Sequence, residues 1–469
     1  MRTSEAVVVG AAPDRAVLYD PPSMALIRGP RDALERGLRY SRLGHGEEDV
    51  TEDDRRLWAG VETALERHQP LRGDGEPAVV RKLFLGNTYH CNMGCTYCYN
   101  ELAIKDRKGS EVPEGMSVEV ARMAVDALLA QAASTRDLQL VFVGGEPLLE
   151  RETLFATVEY AERRCGETGH RVSSVVYTNG TLMTRELIAW ADTHEVSLVV
   201  SLDGPPALND RRRIFLSGRP TSRAVLRNIR RLVESSTQPL LRVRAVAVED
   251  TALVPLHRYL MDLGFNEIHV QPMYDDAGLA GAETTEQLVE LLDWYRTLLL
   301  DGVVISVLPF EGVIERMLAR GGAVASWYPC SAGRGQLAVG PRGQLYPCHH
   351  FLEESRFQMG DVRHGLPTFT ARQPFFLRVD QREPCRSCWA RHACGGECYH
   401  RAHTAGHGYT GVIPEVCRSR KTLIGLTLEV LAEVAERRPD VLGRILRREC
   451  SPVPPNWAAY DHRDLTPYL

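Results

Sequence analysis

The sequence predicts an α/β protein in which short strands alternate with amphipathic helices around a parallel sheet, with a small module before it and a loop-rich region after it. Three observations predict this. From about residue 81 to 303, apolar or β-branched runs that end in polar or glycine turns are separated by helical runs. Residues 1 to 78 show no such alternation, and beyond about 306 the chain becomes loop-like and dense in cysteine.

The strand candidates are RKLFLG, LQLVFVGG, VSSVVYTNG, VSLVVSLDG, LLRVRAVAV and EIHVQPM. Between them lie MSVEVARMAVDALLAQ, with Ser117 placed as its N-cap, then ETLFATVEYAERR, TRELIAWADTH, SRAVLRNIRRLV and ALVPLHRYLMDLG. Six strands with helical crossovers suit a partial barrel and an open doubly wound sheet alike. In both, ligands gather at the carboxyl ends of the strands, where CNMGCTYC, GGEP, YTNG and SLDG fall. Ahead of the sheet, AVLYDPPSMALI reads as a hairpin around Pro21 and Pro22, followed by helices in RDALERGLRY and EDDRRLWAGVETALERH. A last helix, roughly Arg420 to Arg437, and a Pro-rich tail close the chain.

The 469 residues imply two or three domains, divided here as 1–78, 79–305 and 306–469. Hydrophobic content of 44% and charged content of 25% exclude disordered and fibrous classes. A net charge of -5 gives no basic field to attract nucleic acid or a membrane surface, so neither is expected as a partner. The N-terminus lacks the basic start and long apolar core of a secretion signal, and no apolar run reaches the roughly 18 residues of a membrane span. A cytoplasmic location is expected, where clustered cysteines are more often metal ligands than disulfides.

In CNMGCTYC, three cysteines on a loop can converge on one centre. A zinc site with a distant fourth ligand such as His90 is one reading. In VFVGGEP, Gly144 and Gly145 let backbone carbonyls approach a ligand and Glu146 can accept from an ammonium, although GGEP is also an ordinary turn sequence. Ser201 and Asp203 stand where a strand meets its loop, in reach of ribose or carboxylate oxygens. Asn179 and Gln271 are weaker candidates of the same kind.

CNMGCTYC followed by GGEP, YTNG and SLDG resembles the radical S-adenosylmethionine (SAM) enzymes over roughly residues 81 to 275. The resemblance implies a partial (β/α)6 TIM-like barrel. It further implies that Cys91, Cys95 and Cys98 hold a 4Fe-4S cluster whose open iron takes SAM, that Tyr97 lies beside the adenine, and that Arg213 clamps the methionine carboxylate. Arg211 and Arg212 compete for that last role.

The later cysteines run C-x12-G-x4-C, with Gly343, then C-x2-C-x5-C-x3-C and a final cysteine. This pattern resembles the SPASM extension of radical SAM enzymes, which carries two auxiliary 4Fe-4S clusters and brings the expected total to three. By resemblance, Cys385, Cys388, Cys394 and Cys417 ligate the outer cluster, while Cys330, Cys348 and Cys398 belong to the inner one. No cysteine shortly precedes Cys330, so the inner cluster has an open iron or an unusual ligand such as His349, His350 or Cys450. Cys165 reads as an ordinary buried residue. The stretch CSAGRGQLAVGPRGQLYPCHHF resembles thioether-forming peptide maturases of the ranthipeptide, sactipeptide and quinohaemoprotein amine dehydrogenase maturase types. Sulfatase maturases have an aspartate base where this chain has His349.

The resemblance thus implies an oxidoreductase that crosslinks a cysteine sulfur to carbon in a peptide or small protein, fed by a flavodoxin- or ferredoxin-type electron donor. Carbon-carbon or carbon-oxygen crosslinking and dehydrogenation are the rival activities, and a zinc-binding scaffold is the non-catalytic one. The N-terminal module loosely resembles the PqqD-like element that binds leader peptides; a structural cap is its alternative.

Overall fold

A computed structural model describes residues 6–10, 14–21, 24–43, 79–98, 115–132, 136–248, 251–273, 285–318 and 327–457, and 51–63 in part. The N-terminal module is a three-stranded antiparallel sheet of β1 (Val7–Val9), β2 (Arg15–Asp20) and β3 (Ala25–Pro30), followed by α1 (Arg31–Leu43). Asp20 pairs with Ala25, so the hairpin forms where expected; Pro22 at its tip lies outside the described residues. Much of the second expected helix also lies outside them, but Trp58 and Val61 are buried with Leu18, Leu34 and Leu38.

The six expected parallel strands all form: β4 (Lys82–Thr88), β5 (Asp137–Gly144), β6 (Arg171–Thr178), β7 (Val196–Ser201), β8 (Arg242–Ala247) and β9 (Glu267–Pro272). Their crossovers are α2 (Val118–Gln131), α3 (Arg151–Thr168), α4 (Arg185–Thr193), α5 (Ser222–Ser235) and α6 (Leu253–Asp262). The Ser117 side chain caps α2 by accepting from Val120 N at 3.2 Å. After α7 (Thr285–Leu300) a seventh parallel strand, β10 (Ser306–Leu308), adds to β9. Three residues cut off by Pro309 give too short a signal to be read as a strand from sequence.

At the other edge β11 (Gln336–Val339) runs parallel to β4, and β12 (Gln344–Tyr346) and β13 (Gly360–Asp361) extend it in antiparallel fashion. The resulting 10-stranded sheet has the order β10-β9-β8-β7-β6-β5-β4-β11-β12-β13. The partial barrel and the cysteine-rich extension therefore share one hydrogen-bonded sheet.

Alternation along the strands sorts the two faces. Leu83, Leu85, Leu140, Phe142, Val176, Val200, Val243 and Ile268 pack outward in the main core with the helices. Phe84, Val141, Val143, Val175 and Tyr177 point inward and meet Ala338, Tyr346 and Phe351 of the extension.

The closing helix, expected from Arg420, begins six residues earlier, at Pro414, and runs to Arg437. A proline in the first turn costs no helical hydrogen bond, which lets a polar start such as PEVCRSR be helical. After α8 (Phe310–Leu318), this helix is α9, and α10 (Pro439–Leu446) follows. Ile424 and Leu428 of α9 pack against Tyr19, Met24, Val7 and Val9, joining the N-terminal sheet to the cysteine-rich region. Among the described residues, no helix is long and apolar enough to cross a membrane.

Candidate active site

The loop from Cys91 to Cys98 leaves the end of β4 and is held from two sides. On one side Gly145 N donates to Thr88 O at 2.7 Å, and Glu146 N to His90 O at 2.9 Å. A Cβ on Gly144 would fall 1.9 Å from Thr88 O, and one on Gly145 2.1 Å from His90 O. The two glycines thus let two backbones touch, and Gly144 also has φ +145. On the other side Gly94 N donates to Ile214 O at 2.7 Å and Thr96 N to Arg212 O at 3.0 Å, with Met93 and Phe215 bridged antiparallel.

This clamp gathers three thiols. Burial pushes Cys91 up to about 12, helped by Glu146 and by the neighbouring Cys95 and Cys98 thiols. Cys91 Sγ also receives Met93 N at 3.4 Å and Asn179 Nδ2 at 3.9 Å. Thiols crowded together in a low dielectric ionise only against positive charge, which bound iron supplies. Among the described residues, no group of three His, Cys, Asp or Glu stands close enough to hold a single metal ion. A four-iron cube takes thiolates at separate corners, wider apart than the ligands of one ion, and the donor set fits that requirement.

Beside the loop, the Tyr97 hydroxyl donates to Asp203 Oδ2 and accepts from Arg213 Nη1 at 3.0 Å. Asp203 Oδ1 accepts from Val246 N at 3.0 Å, and burial raises the carboxyl above its ordinary range. Of the three consecutive arginines, only Arg213 is buried. Its Nε is a buried donor without a partner, left for a ligand acceptor.

Glu146 is fully buried, and its carboxylate accepts from Leu148 N, Thr178 Oγ1 and Asn179 N at 3.1, 2.8 and 2.6 Å. It ties the GGEP turn to the end of β6, and burial pushes it up to about 7. Asn179 reaches back to Asn92 Oδ1 at 2.8 Å and accepts from Thr181 N at 2.9 Å. Ser201 ends β7 on the inner face, and Gln271 is exposed on β9.

The C-terminal cysteines separate into two groups. Cys385, Cys388, Cys394 and Cys417 line one cavity of about 330 Å³ together with Arg391 and Arg420. Burial pushes Cys385 up to about 11, reinforced by the other three thiols. Cys330, Cys348 and Cys398 form the second group. Cys330 is pushed up to about 12 by burial and by Cys398, and Cys348 is raised by burial and by Cys330. Cys330 exposes surface although burial dominates at its thiol, so the surface it shows faces a space inside the protein.

Cys450 belongs to neither group: it sits among Glu311, Glu267 and Arg242. His349 lies with Nδ1 3.7 Å from Cys348 Sγ, stacks on Phe84 at 4.5 Å and is tilted against His350 at 4.2 Å. Burial holds His349 down at about 3. Cys165 is buried on α3 in the main core, as expected.

Sequence reading passed over the inward side chains of the strands. Lys82, Tyr177, Arg244 and His269 all lie on the barrel's inner face, opposite the residues packed in the main core. The signal was present in RVRAVAV, where arginines occupy alternate positions of an otherwise buried strand.

Comparison with known proteins agrees with this geometry. Residues 88–243 match the radical SAM superfamily model. A serine-type anaerobic sulfatase-maturating enzyme of Klebsiella aerogenes is 24% identical over 330 residues, covering 68% of this chain and 79% of that protein. The solved structure of anSMEcpe with bound AdoMet superposes with a TM-score of 0.63 at 20% identity, covering 78% of this chain and 98% of that one. Streptococcus suis SuiB bound to precursor peptide SuiA superposes with a TM-score of 0.51 at 12% identity, covering 88% and 100%.

The chain carries a radical SAM catalytic domain and is an enzyme of that radical type. Beyond the barrel, its loop-rich, cysteine-rich extension is similar to a SPASM domain.

Proposed function

We propose that this enzyme matures a peptide or small protein by joining a cysteine sulfur to an unactivated carbon. In this reading Cys91, Cys95 and Cys98 hold a four-iron cluster, with SAM contacts from Tyr97, Gly144, Gly145, Glu146, Asn179, Ser201, Asp203 and Arg213. The quartet of Cys385, Cys388, Cys394 and Cys417 closes an outer cluster, and the trio of Cys330, Cys348 and Cys398 holds an inner one. When bound, the first cluster and SAM supply a 5'-deoxyadenosyl radical that removes hydrogen from carbon. The chain's own part is to hold the target carbon in line and to keep water out of the barrel.

One observation carries the thioether assignment: the inner trio has no fourth cysteine beside it, since the other nine lie elsewhere. That leaves a position for a substrate thiolate. In the net reaction one hydrogen leaves in 5'-deoxyadenosine, the thiol loses its proton, and one electron returns to the protein's auxiliary centres as the carbon-sulfur bond forms.

The second reading is oxidation of a serine or cysteine side chain to an aldehyde, favoured by the likeness to sulfatase-maturating enzymes. That product needs a base to remove the hydroxyl or thiol proton. The residue after Cys348 is His349, and burial suppresses its proton affinity. The antiparallel sheet β1-β2-β3 supports leader binding by strand addition, because β3 has no strand on its outer side among the described residues.

The test is anaerobic coexpression with short cysteine-containing peptides encoded beside the gene, with masses read before and after thiol alkylation. Loss of two hydrogens together with one alkylatable thiol is expected. Loss of two hydrogens with every thiol still reactive would replace the thioether by carbon-carbon crosslinking or dehydrogenation. An aldehyde captured by a hydrazine reagent would establish the second reading.

A further inference from the structure

The inner face of the barrel holds two polar rows that differ in how they are satisfied. In the first, Arg242 of β8 donates to Glu267 of β9 at 2.8 Å and to Ser197 of β7. This row is closed on itself. Two residues further along the strands, register places Ser201, Arg244 and His269 side by side on β7, β8 and β9.

Nothing among the described residues satisfies this second row with a polar contact. Among the described residues, the side chains of Arg244, His269 and Ser201 make no hydrogen bond or ion pair, and all three residues retain accessible surface. The Arg244 guanidinium rests over the Tyr177 ring, 4.6 Å from its centroid, which holds its plane and leaves its edge donors free. Lys82 stands near enough to Arg448, Cys330 and Arg244 to feel all three, and it too has no ion pair among the described residues. His269 is held neutral by burial and by Arg244, so it does not add to the charge. Beyond the closed Arg242–Glu267 pair, this face therefore carries two cations, Arg244 and Lys82, that are bonded to no carboxylate among the described residues, and Lys82 stands near Cys330 of the inner trio. An unmatched guanidinium in such a place is a receptor for a planar anion.

We infer that Arg244, with Lys82 beside it, binds a carboxylate of the peptide substrate inside the barrel and thereby selects substrates with an acidic group close to the modified residue. This rests on the peptide-modifying reading above and adds the chemistry of what that peptide must present. An aspartate or glutamate side chain and a free C-terminus offer the same carboxylate, and the test separates them.

The test uses the anaerobically reconstituted holoenzyme and synthetic cysteine-containing peptides made in matched sets: one Asp or the corresponding Asn, each with a free or amidated C-terminus. Affinity is read by calorimetry for the wild type, Arg244→Gln and Arg244→Lys, with thermal melting as the folding control. Losing one partner of a buried charged pair should weaken binding by about thirtyfold or more. The expected result is that Asp peptides, free-terminus peptides or both bind that much better than their amide counterparts. Arg244→Gln abolishes the difference and Arg244→Lys keeps part of it. An Asp preference assigns the side chain, and a free-terminus preference assigns the C-terminus.

Equal affinity within every set, including no binding by any member, overturns the inference. So does a preference that survives in Arg244→Gln. SAM affinity measured by equilibrium dialysis should be the same in wild type and Arg244→Gln; its collapse would assign Arg244 to the cosubstrate and also overturn the inference. Iron-sulfur absorption and peptide-independent formation of 5'-deoxyadenosine report separately on the radical SAM reading, so the two failures are distinguishable.

Discussion

Arg213 reaches across to Tyr97 at 3.0 Å, and Tyr97 in turn donates to Asp203, so one phenol hydroxyl stands between a buried cation and a buried carboxyl. The three groups come from the cysteine loop, the end of β7 and the segment that pairs with the loop. Removing the cation takes from Asp203 its main charge compensation and leaves only the smaller influence of Arg212. Arg213→Met is expected to cost about 3 kcal/mol in urea unfolding, and Tyr97→Phe about 1 to 2 kcal/mol. SAM affinity in Arg213→Met should fall by about tenfold or more if the unpartnered Nε serves the cosubstrate.

The glycine pair gives a second expectation. A methyl group at Gly144 collides with Thr88 O on a backbone that also has φ +145. Gly144→Ala should therefore push the cysteine loop away from its place and lower iron incorporation while the helices persist. Iron quantification beside circular dichroism checks this. Gly166→Ala, on a helix with nothing within 4 Å of the new atom, is the control and should change neither.

Glu146 sets a pH dependence. Its folded-state value, about 7, lies above the ordinary glutamate value of 4.5, because burial penalises the ionised form more than its three donors stabilise it. The folded state therefore binds the proton more tightly than the unfolded state. Its contribution to stability is complete below about 4.5 and declines as pH rises through about 7. Relative to Glu146→Gln, the wild type should lose a few kcal/mol across that window. Unfolding of both proteins over the pH range reads it, and parallel curves would show that Glu146 does not titrate there.

The cysteine groups predict how iron is lost. Alanine at Cys385, Cys388, Cys394 or Cys417 should remove the same share of iron, about four atoms per chain, and leave SAM cleavage measurable. Alanine at Cys91, Cys95 or Cys98 should abolish cleavage. Cys450→Ala, remote from both C-terminal groups, should retain full iron content; loss of iron there would make Cys450 a ligand.

The division of the later cysteines came from the resemblance to the SPASM extension, whereas the sequence by itself determined the parallel strand and helix series and the position of the first cysteine loop at the strands' carboxyl ends. Each of these is local: alternation, capping and spacing act over a few residues, and cysteines rarely cluster without a shared purpose. Only the tertiary structure decided that β11 joins the barrel sheet beside β4, since pairing of strands some 250 residues apart leaves no periodic mark. It also decided which of Arg211, Arg212 and Arg213 is buried, because three identical side chains in a row differ only in where the loop turns them. The same holds for the two rows inside the barrel. RVRAVAV shows that two arginines share a face, but whether each finds a carboxylate depends on the strands packed alongside: Arg242 meets Glu267, and Arg244 meets His269.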